Sequence, residues 1–453
     1  MYRKFAIFIT TLVLLFQTTS AMSMTLIRDS EIESYMNEWF TPILRAAGME
    51  PRSVNVYLVK DDNVNAFVAG GSNVFFHTGL LTKSENADEI IGVFAHELGH
   101  ITGGHLIRAR EAQTQSATKM IVSTLVGIGA AILSGDSGAA GAAIQTGQAI
   151  GMTDYLAHSR IQESAADQAA LTFLSQARKD PSGLLTFLEK LQSQELLPAS
   201  QQMAYARTHP ITRDRIEALR HRHDQIEAQF KSRSSDQETQ RKADQHARMR
   251  AKLIGFLSPE RVERFHPESE DSLAARYARA ISAYRLNETK EALKKIDRLI
   301  AEERDNPYFH ELAGQVHKDR GEVVEARRFY KKAMELKPNT PLLMTAYGQV
   351  MVQGTGSDSK AQLEEAVGTL TRASQIDPSS SFTYILLAQA YAKLDEDGLA
   401  HLYSAEASLR QGALADTRRH IEIALQSLPR RTPQYFRAKD ILAALSSKEA
   451  SAP

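Results

Sequence analysis

The stretch FAHELGHITGGH, Phe94–His105, constrains this chain more than any other, because His96 and His100 stand four positions apart. Imidazoles at that spacing share one face in a helix, and there both can reach a single ion. The flanking residues suit a helix. Asn86 is a natural N-cap, Glu89 completes a capping box, and Ile90, Ile91, Phe94 and Ala95 supply an apolar side. Glu97, one position past the first histidine, is then the candidate general base toward water at that ion.

A catalytic zinc takes three protein ligands and keeps a fourth position open. One candidate for the third ligand is His105. In the extended motif with a third histidine, Gly103 is in place but the last histidine position falls on Leu106. His105 is one residue short, and a polar residue at a helix end is the simpler reading. The other candidate is Glu163, in RIQESAAD (Arg160–Asp167), with Asp167 one turn on and able to accept a hydrogen bond from a ligand histidine. Ala165 and Ala166, just before Asp167, suit close packing.

Upstream, Ile32, Tyr35, Met36, Trp39, Phe40, Ile43 and Leu44 recur at helical spacing between Glu31 and Ala47, and Gly48 and Pro51 close the helix. Val54–Val59, Asn65–Ala69 and Asn73–Phe76 read as short strands of a small sheet. Earlier still, Arg3 and Lys4, the apolar run Phe5–Phe16 and the small residues ending at Ala21 predict a secretory signal over residues 1–21. The run is shorter than the ~18–20 residues of a spanning helix. The chain has no cysteine, so neither a lipidated cysteine nor disulfides are available to it after export.

At 453 residues the chain exceeds one typical domain. Lys and Arg balance Asp and Glu at 54 each, which argues against nucleic acid as a partner. Between the two ligand-bearing segments, Met120–Gly135 carries no charge, and glycines recur from Gly127 to Gly151. That segment reads as a lid over the site or as a surface that touches a membrane. Glu227–Arg250 is charged and reads as a solvated connector. Beyond it a repeat with a period of about 34 residues emerges. Gly314, Ala326, Tyr330, Ala333 and Pro338 hold its small, aromatic and terminal positions, and Ala366, Leu370, Ala373 and Pro378 repeat them after an insertion. Ala280, Ala292, Ile296 and Leu299 fit more loosely, as do Gly412, Ala424 and Pro429. Stacked helix pairs of this kind present a concave face to other proteins.

Four ordered motifs, NAFVAGGSNVFFHTGLL (Asn65–Leu81), HELGH (His96–His100), RIQESAAD and THPITRDRI (Thr208–Ile216), resemble the zinc metallopeptidase family of the HtpX and CaaX prenyl proteases, most of all its periplasmic β-barrel assembly-enhancing branch. The resemblance implies an α+β zincin-like metalloprotease domain, mostly helical with a small sheet, over 22–225. A helical connector over 226–269 and an all-α tetratricopeptide-repeat superhelix over 270–453 follow. It implies one zinc per chain on His96, His100 and Glu163, with Glu97 as base. Asp167 and Arg215 would be structural partners behind the ligands. Asn65, Ala66, Phe67, Gly70 and Gly71 would line the strand beside which substrate lies extended. His209, in the His-Pro element, would either plug the metal at rest or stabilise the oxyanion. The implied role is a periplasmic endopeptidase for unfolded or misassembled outer-membrane proteins, docked to the barrel-assembly machinery through its repeats. The alternative is a chaperone or scaffold whose repeats carry the main role.

Overall fold

The computed structural model describes residues 25–105, 159–193, 197, 202–230, 236–354 and 360–450. The expected signal at 1–21 and the glycine-rich stretch 127–151 lie outside these residues. Two compact units emerge, Met1–Ile27 with Phe40–Ser234, and Arg28–Trp39 with Ser235–Pro453. No helix among the described residues is long and apolar enough to cross a membrane.

In the first unit, strands β1 (Leu26–Ile27), β2 (Asn55–Val59), β3 (Ala66–Ala69) and β4 (Asn73–His77) form one sheet in the order β1-β2-β4-β3. β2 and β4 run parallel, and β3 pairs antiparallel with β4, Phe67 opposite Phe75, which leaves β3 at an edge. Alternation sets the two faces. Val74 and Phe76 turn inward and are fully buried, while Phe67 and Phe75 stack across the other face with ring centroids 5.1 Å apart. Phe76 stacks on Phe40, and Phe40 lies flat on Phe94 of the motif helix (Ala87–Thr102) at 3.9 Å. Those rings fix the motif helix against the sheet. β1 was not expected from the sequence, since two residues carry no readable alternation.

The motif helix starts as the capping residues suggest, with Asn86 Oδ1 accepting from the Glu89 amide at 3.0 Å. The reciprocal bond differs. The Glu89 carboxylate accepts from the Glu85 amide and from Lys190 Nζ, which sits 2.7 Å from its Oε1.

The second unit contains five helix pairs among the described residues: Leu273–Arg285 with Thr289–Glu302, Pro307–Asp319 with Val323–Leu336, Pro341–Gln353 with Lys360–Ile376, Ser381–Lys393 with Asp397–Arg410, and Leu414–Ser427 with Pro433–Ala450. These are tetratricopeptide-type pairs. Ala280, Ala292, Ile296 and Leu299, which matched the period only loosely, are as buried as Ala326, Tyr330 and Ala333 one repeat later. Gly412, Ala424 and Pro429 matched the period loosely as well, and Ala424 is buried like its counterparts while Gly412 is not in a helix. It sits in a turn at φ 74° between the helices Asp397–Arg410 and Leu414–Ser427.

The expected solvated connector also departs from expectation. The helix Asp236–Leu257 buries Gln245, His246, Met249 and Lys252. Its polar residues are buried because they are bonded: Trp39 Nε1 donates to Gln245 Oε1 at 2.7 Å, and Gln245 Nε2 donates to Glu38 at 2.8 Å. Hydropathy alone cannot register such pairing. Lys252 meets Asp29 at 2.9 Å, Glu31 at 3.2 Å and Glu311 at 4.0 Å. Burial works against its charge, but those carboxylates hold its pKa well above the ordinary lysine value.

One cation facing three carboxylates leaves one of them short. Burial, with Asp29 and Glu31 adding repulsion, raises Glu311 from its ordinary 4.5 to about 7 against the opposing pull of Lys252 and the Ser30 hydroxyl. The folded pKa lies above the unfolded one, so this contribution to stability is complete below pH 4.5 and is lost as pH rises through 7. In urea unfolding from pH 4 to 8, we expect Glu311→Gln to flatten the part of the midpoint's decline that falls in this window.

Candidate metal centre

Three segments converge on one point in the first unit. The motif helix brings His96 and His100, the helix over 159–176 brings Glu163 and Asp167, and the short helix Ala204–Thr208 ends at His209, held extended (φ −126°, ψ 86°) ahead of Pro210. Arg215 follows on the helix Arg213–Phe230.

The first two helices meet at glycine. A Cβ at Gly99 would lie 2.7 Å from the Ala166 carbonyl oxygen and 2.8 Å from its Cα, so the backbones touch and no side chain fits between them. Of the two alanines expected to pack there, Ala166 does so and Ala165 is exposed.

His96 Nε2 lies 3.1 Å from His100 Nε2 and 3.3 Å from His209 Nδ1. The Glu163 carboxylate is 3.3 Å from His96 Nε2, 3.3 Å from His100 Nε2 and 3.2 Å from His209 Nδ1. Five separations among these four side chains run from 3.1 to 3.3 Å, and one ligand atom from each lies within 4.8 Å of all the others, close enough for the four to converge on one ion. The donor set therefore fits a metal, and these four side chains can hold one.

Behind the donors lies a charge relay of position. His96 Nδ1 is 2.8 Å from Asp167 Oδ1, which turns Nε2 toward the cluster. Arg215 grips Asp167 through Nε at 2.8 Å and Nη2 at 2.9 Å, reaches Glu163 through Nη1 at 2.9 Å, and donates to the Pro210 carbonyl at 2.7 Å. One guanidinium thus ties both acidic residues to the His-Pro element. Burial alone would raise both acids. Arg215 and His96 instead lower Asp167, and His209 with His100 and His96 holds Glu163 well below the usual range. Burial likewise opposes a charge on His96, yet Asp167 and Glu163 lift it to about 10. Burial and the neighbouring His96 lower His100. The centre is a buried place that demands positive charge.

Glu97 is buried beside the donors, its Oε1 3.5 Å from His209 Nε2. His105 is not among the donors. Its Nδ1 lies 3.0 Å from Nδ1 of His100, on the side of that ring opposite the cluster. Ala66 and Phe67 lie on the edge strand β3, Gly70 and Gly71 form the positive-φ turn that follows, and Asn65 Oδ1 accepts from the Thr208 hydroxyl at 3.4 Å. Sequence reasoning missed Tyr205, whose ring stacks on His209 with centroids 4.5 Å apart, and Thr208. The only available signal was the spacing of four between Tyr205 and His209 in a short helix.

A metal-fitting donor set drawn from three segments, with the buried Glu97 carboxylate beside it and a sheet edge in the same unit, is the arrangement of a metallopeptidase. Residues 26–223 match Peptidase family M48. The chain is 30% identical over 376 residues to the Beta-barrel assembly-enhancing protease of Escherichia coli (strain K12), covering 82% of this chain and 74% of that protein. It is 27% identical over 379 residues to the protein of the same name from Yersinia pestis, with the same coverage. Over 202 residues it is 29% identical to the Mitochondrial metalloendopeptidase OMA1 of Schizosaccharomyces pombe, covering 45% of this chain and 56% of that one. The chain belongs to peptidase family M48 and is a metalloendopeptidase.

Because the helices touch at Gly99, Gly99→Ala must force them apart. The expected cost is about 1–3 kcal/mol in denaturant unfolding, accompanied by weaker metal retention on dialysis.

Proposed function

We propose that this metalloendopeptidase uses one zinc, held by His96, His100 and Glu163, to cut unfolded or misassembled outer-membrane proteins in the periplasm, its repeats docking it on the barrel-assembly machinery. The observation that carries the reading is the four-residue donor cluster with Glu97 beside it. The names of the relatives support the setting.

Zinc in such a site supplies Lewis acidity, lowering the pKa of water to about 7 and polarising a peptide carbonyl. The remaining work belongs to the chain. Glu97 takes a proton from water at its carboxylate and delivers it to the departing amine. Asp167 holds His96 with Nε2 toward the donors, and Arg215 fixes Asp167 and Glu163 together. The edge strand β3 offers its backbone to an extended peptide, which gives affinity with little sequence preference.

His209 is the resting plug in this proposal. Its support is the position of the ring, with Nδ1 toward Glu163 and Nε2 toward Glu97. A fourth protein ligand occupies the position that catalysis requires open.

Metal analysis and casein digestion together test the assignment. His96→Ala, His100→Ala and Glu163→Ala are expected to lose metal and activity, His105→Ala to keep its metal, and Glu97→Gln to keep metal while losing cleavage by at least ~100-fold. Loss of metal from His105→Ala with retention in Glu163→Ala would refute the ligand set. His209→Ala is expected to keep its metal and to degrade a folding-competent outer-membrane protein faster than wild type. An inactive His209→Ala enzyme at full metal occupancy would assign the residue to the oxyanion instead.

A further inference from the structure

Tyr205 is fully buried, and among the described residues its hydroxyl makes no hydrogen bond. A buried phenol O–H without a partner costs about 1–3 kcal/mol, so such an atom in a native site calls for an explanation. A second group in the same centre is in the complementary condition. Among the described residues Glu97 Oε1 is buried and likewise without a hydrogen bond, and His209 Nε2 stands 3.5 Å from it. One group is a donor and the other an acceptor.

Four contacts keep the phenol there. Its ring stacks on His209 at 4.5 Å and 25° and meets Phe187 edge-on at 5.1 Å. Its amide donates to the Val64 carbonyl at 3.1 Å, and its carbonyl accepts from the His209 amide at 2.8 Å. Tyr205 is therefore anchored both to the residue preceding the edge-strand segment and to the His-Pro element. Beyond burial itself, the Glu97 carboxylate is the charge that bears most strongly on the phenol, ahead of Arg215, Glu163 and Asp167.

We propose that the Tyr205 hydroxyl donates to the Glu97 carboxylate during turnover, directly or through one water, and orients it for proton transfer. Tyr205 is then a positioning residue acting through Glu97, an inference that rests on the reading of Glu97 as general base. In the resting arrangement the His209 ring packs on the phenol and Nε2 approaches Glu97, so departure of His209 frees the carboxylate oxygen for the hydroxyl. The hydroxyl keeps its proton throughout.

The test separates this pairing from the assignment of Glu97 itself. Tyr205→Phe keeps the ring against His209 and Phe187 and removes only the hydroxyl. With a fluorogenic peptide, the expected result is a 10- to 100-fold lower kcat, of the order a misplaced catalytic group loses, with unchanged KM and full metal content. Thermal unfolding of the metal-free proteins gives a readout independent of turnover. With His209→Ala as the common background, Tyr205→Phe and Glu97→Gln are each made singly and together, and their effects on the midpoint are expected to be non-additive, as for groups in contact. Additive midpoints, or wild-type kcat in Tyr205→Phe, would overturn the pairing. Coupled midpoints with an active Glu97→Gln enzyme would instead overturn the role of Glu97 while leaving the hydrogen bond intact.

Discussion

Two buried carboxylates one helical turn apart set the terms for the catalytic unit. Glu163 and Asp167 are no more than 3% exposed, and Arg215, 4% exposed, is the guanidinium that meets both. Removing either kind of partner from such a group leaves an uncompensated charge in the interior. The consequences run outward from there. Asp167 sets the orientation of His96, Glu163 closes the donor set, and Arg215 ties both to the backbone at Pro210 and so to His209. The glycine contact at Gly99 lets the acidic helix come close enough for any of this. A metal at the centre would satisfy the demand for positive charge that otherwise falls on His96.

The parts of the molecule legible in the sequence are those in which a periodicity carries the physics. The spacing of His96 and His100, the alternation of Val74 and Phe76, and the recurrence of Ala326, Tyr330 and Ala333 each translate directly into a face of a helix or strand. The association of Glu163 with those histidines is different in kind. It depends on a crossing between helices far apart in sequence, which the four ordered motifs of a family convey and residue spacing does not. Tyr205, outside those motifs, went unnoticed for that reason, and Thr208, inside one, was given no role.

Polar burial was the other source of error. Charge density in the segment before the repeats suggested solvent, yet Gln245 and Lys252 are interior, each carried there by a specific partner or an opposite charge. A sum of hydropathies treats a bonded glutamine and a hydrated one alike.

On the proposed role of β3 as the strand that receives outer-membrane proteins, its edge position has a consequence for discrimination. Pairing at an edge reads vacant backbone donors and acceptors and is indifferent to most side chains. A barrel that has closed has spent every one of its edges on its own neighbours. To such a strand a finished barrel offers no backbone to bind, whereas the same polypeptide before closure does. Proline in the pairing register would be the one residue type that escapes, because it has no amide proton to give.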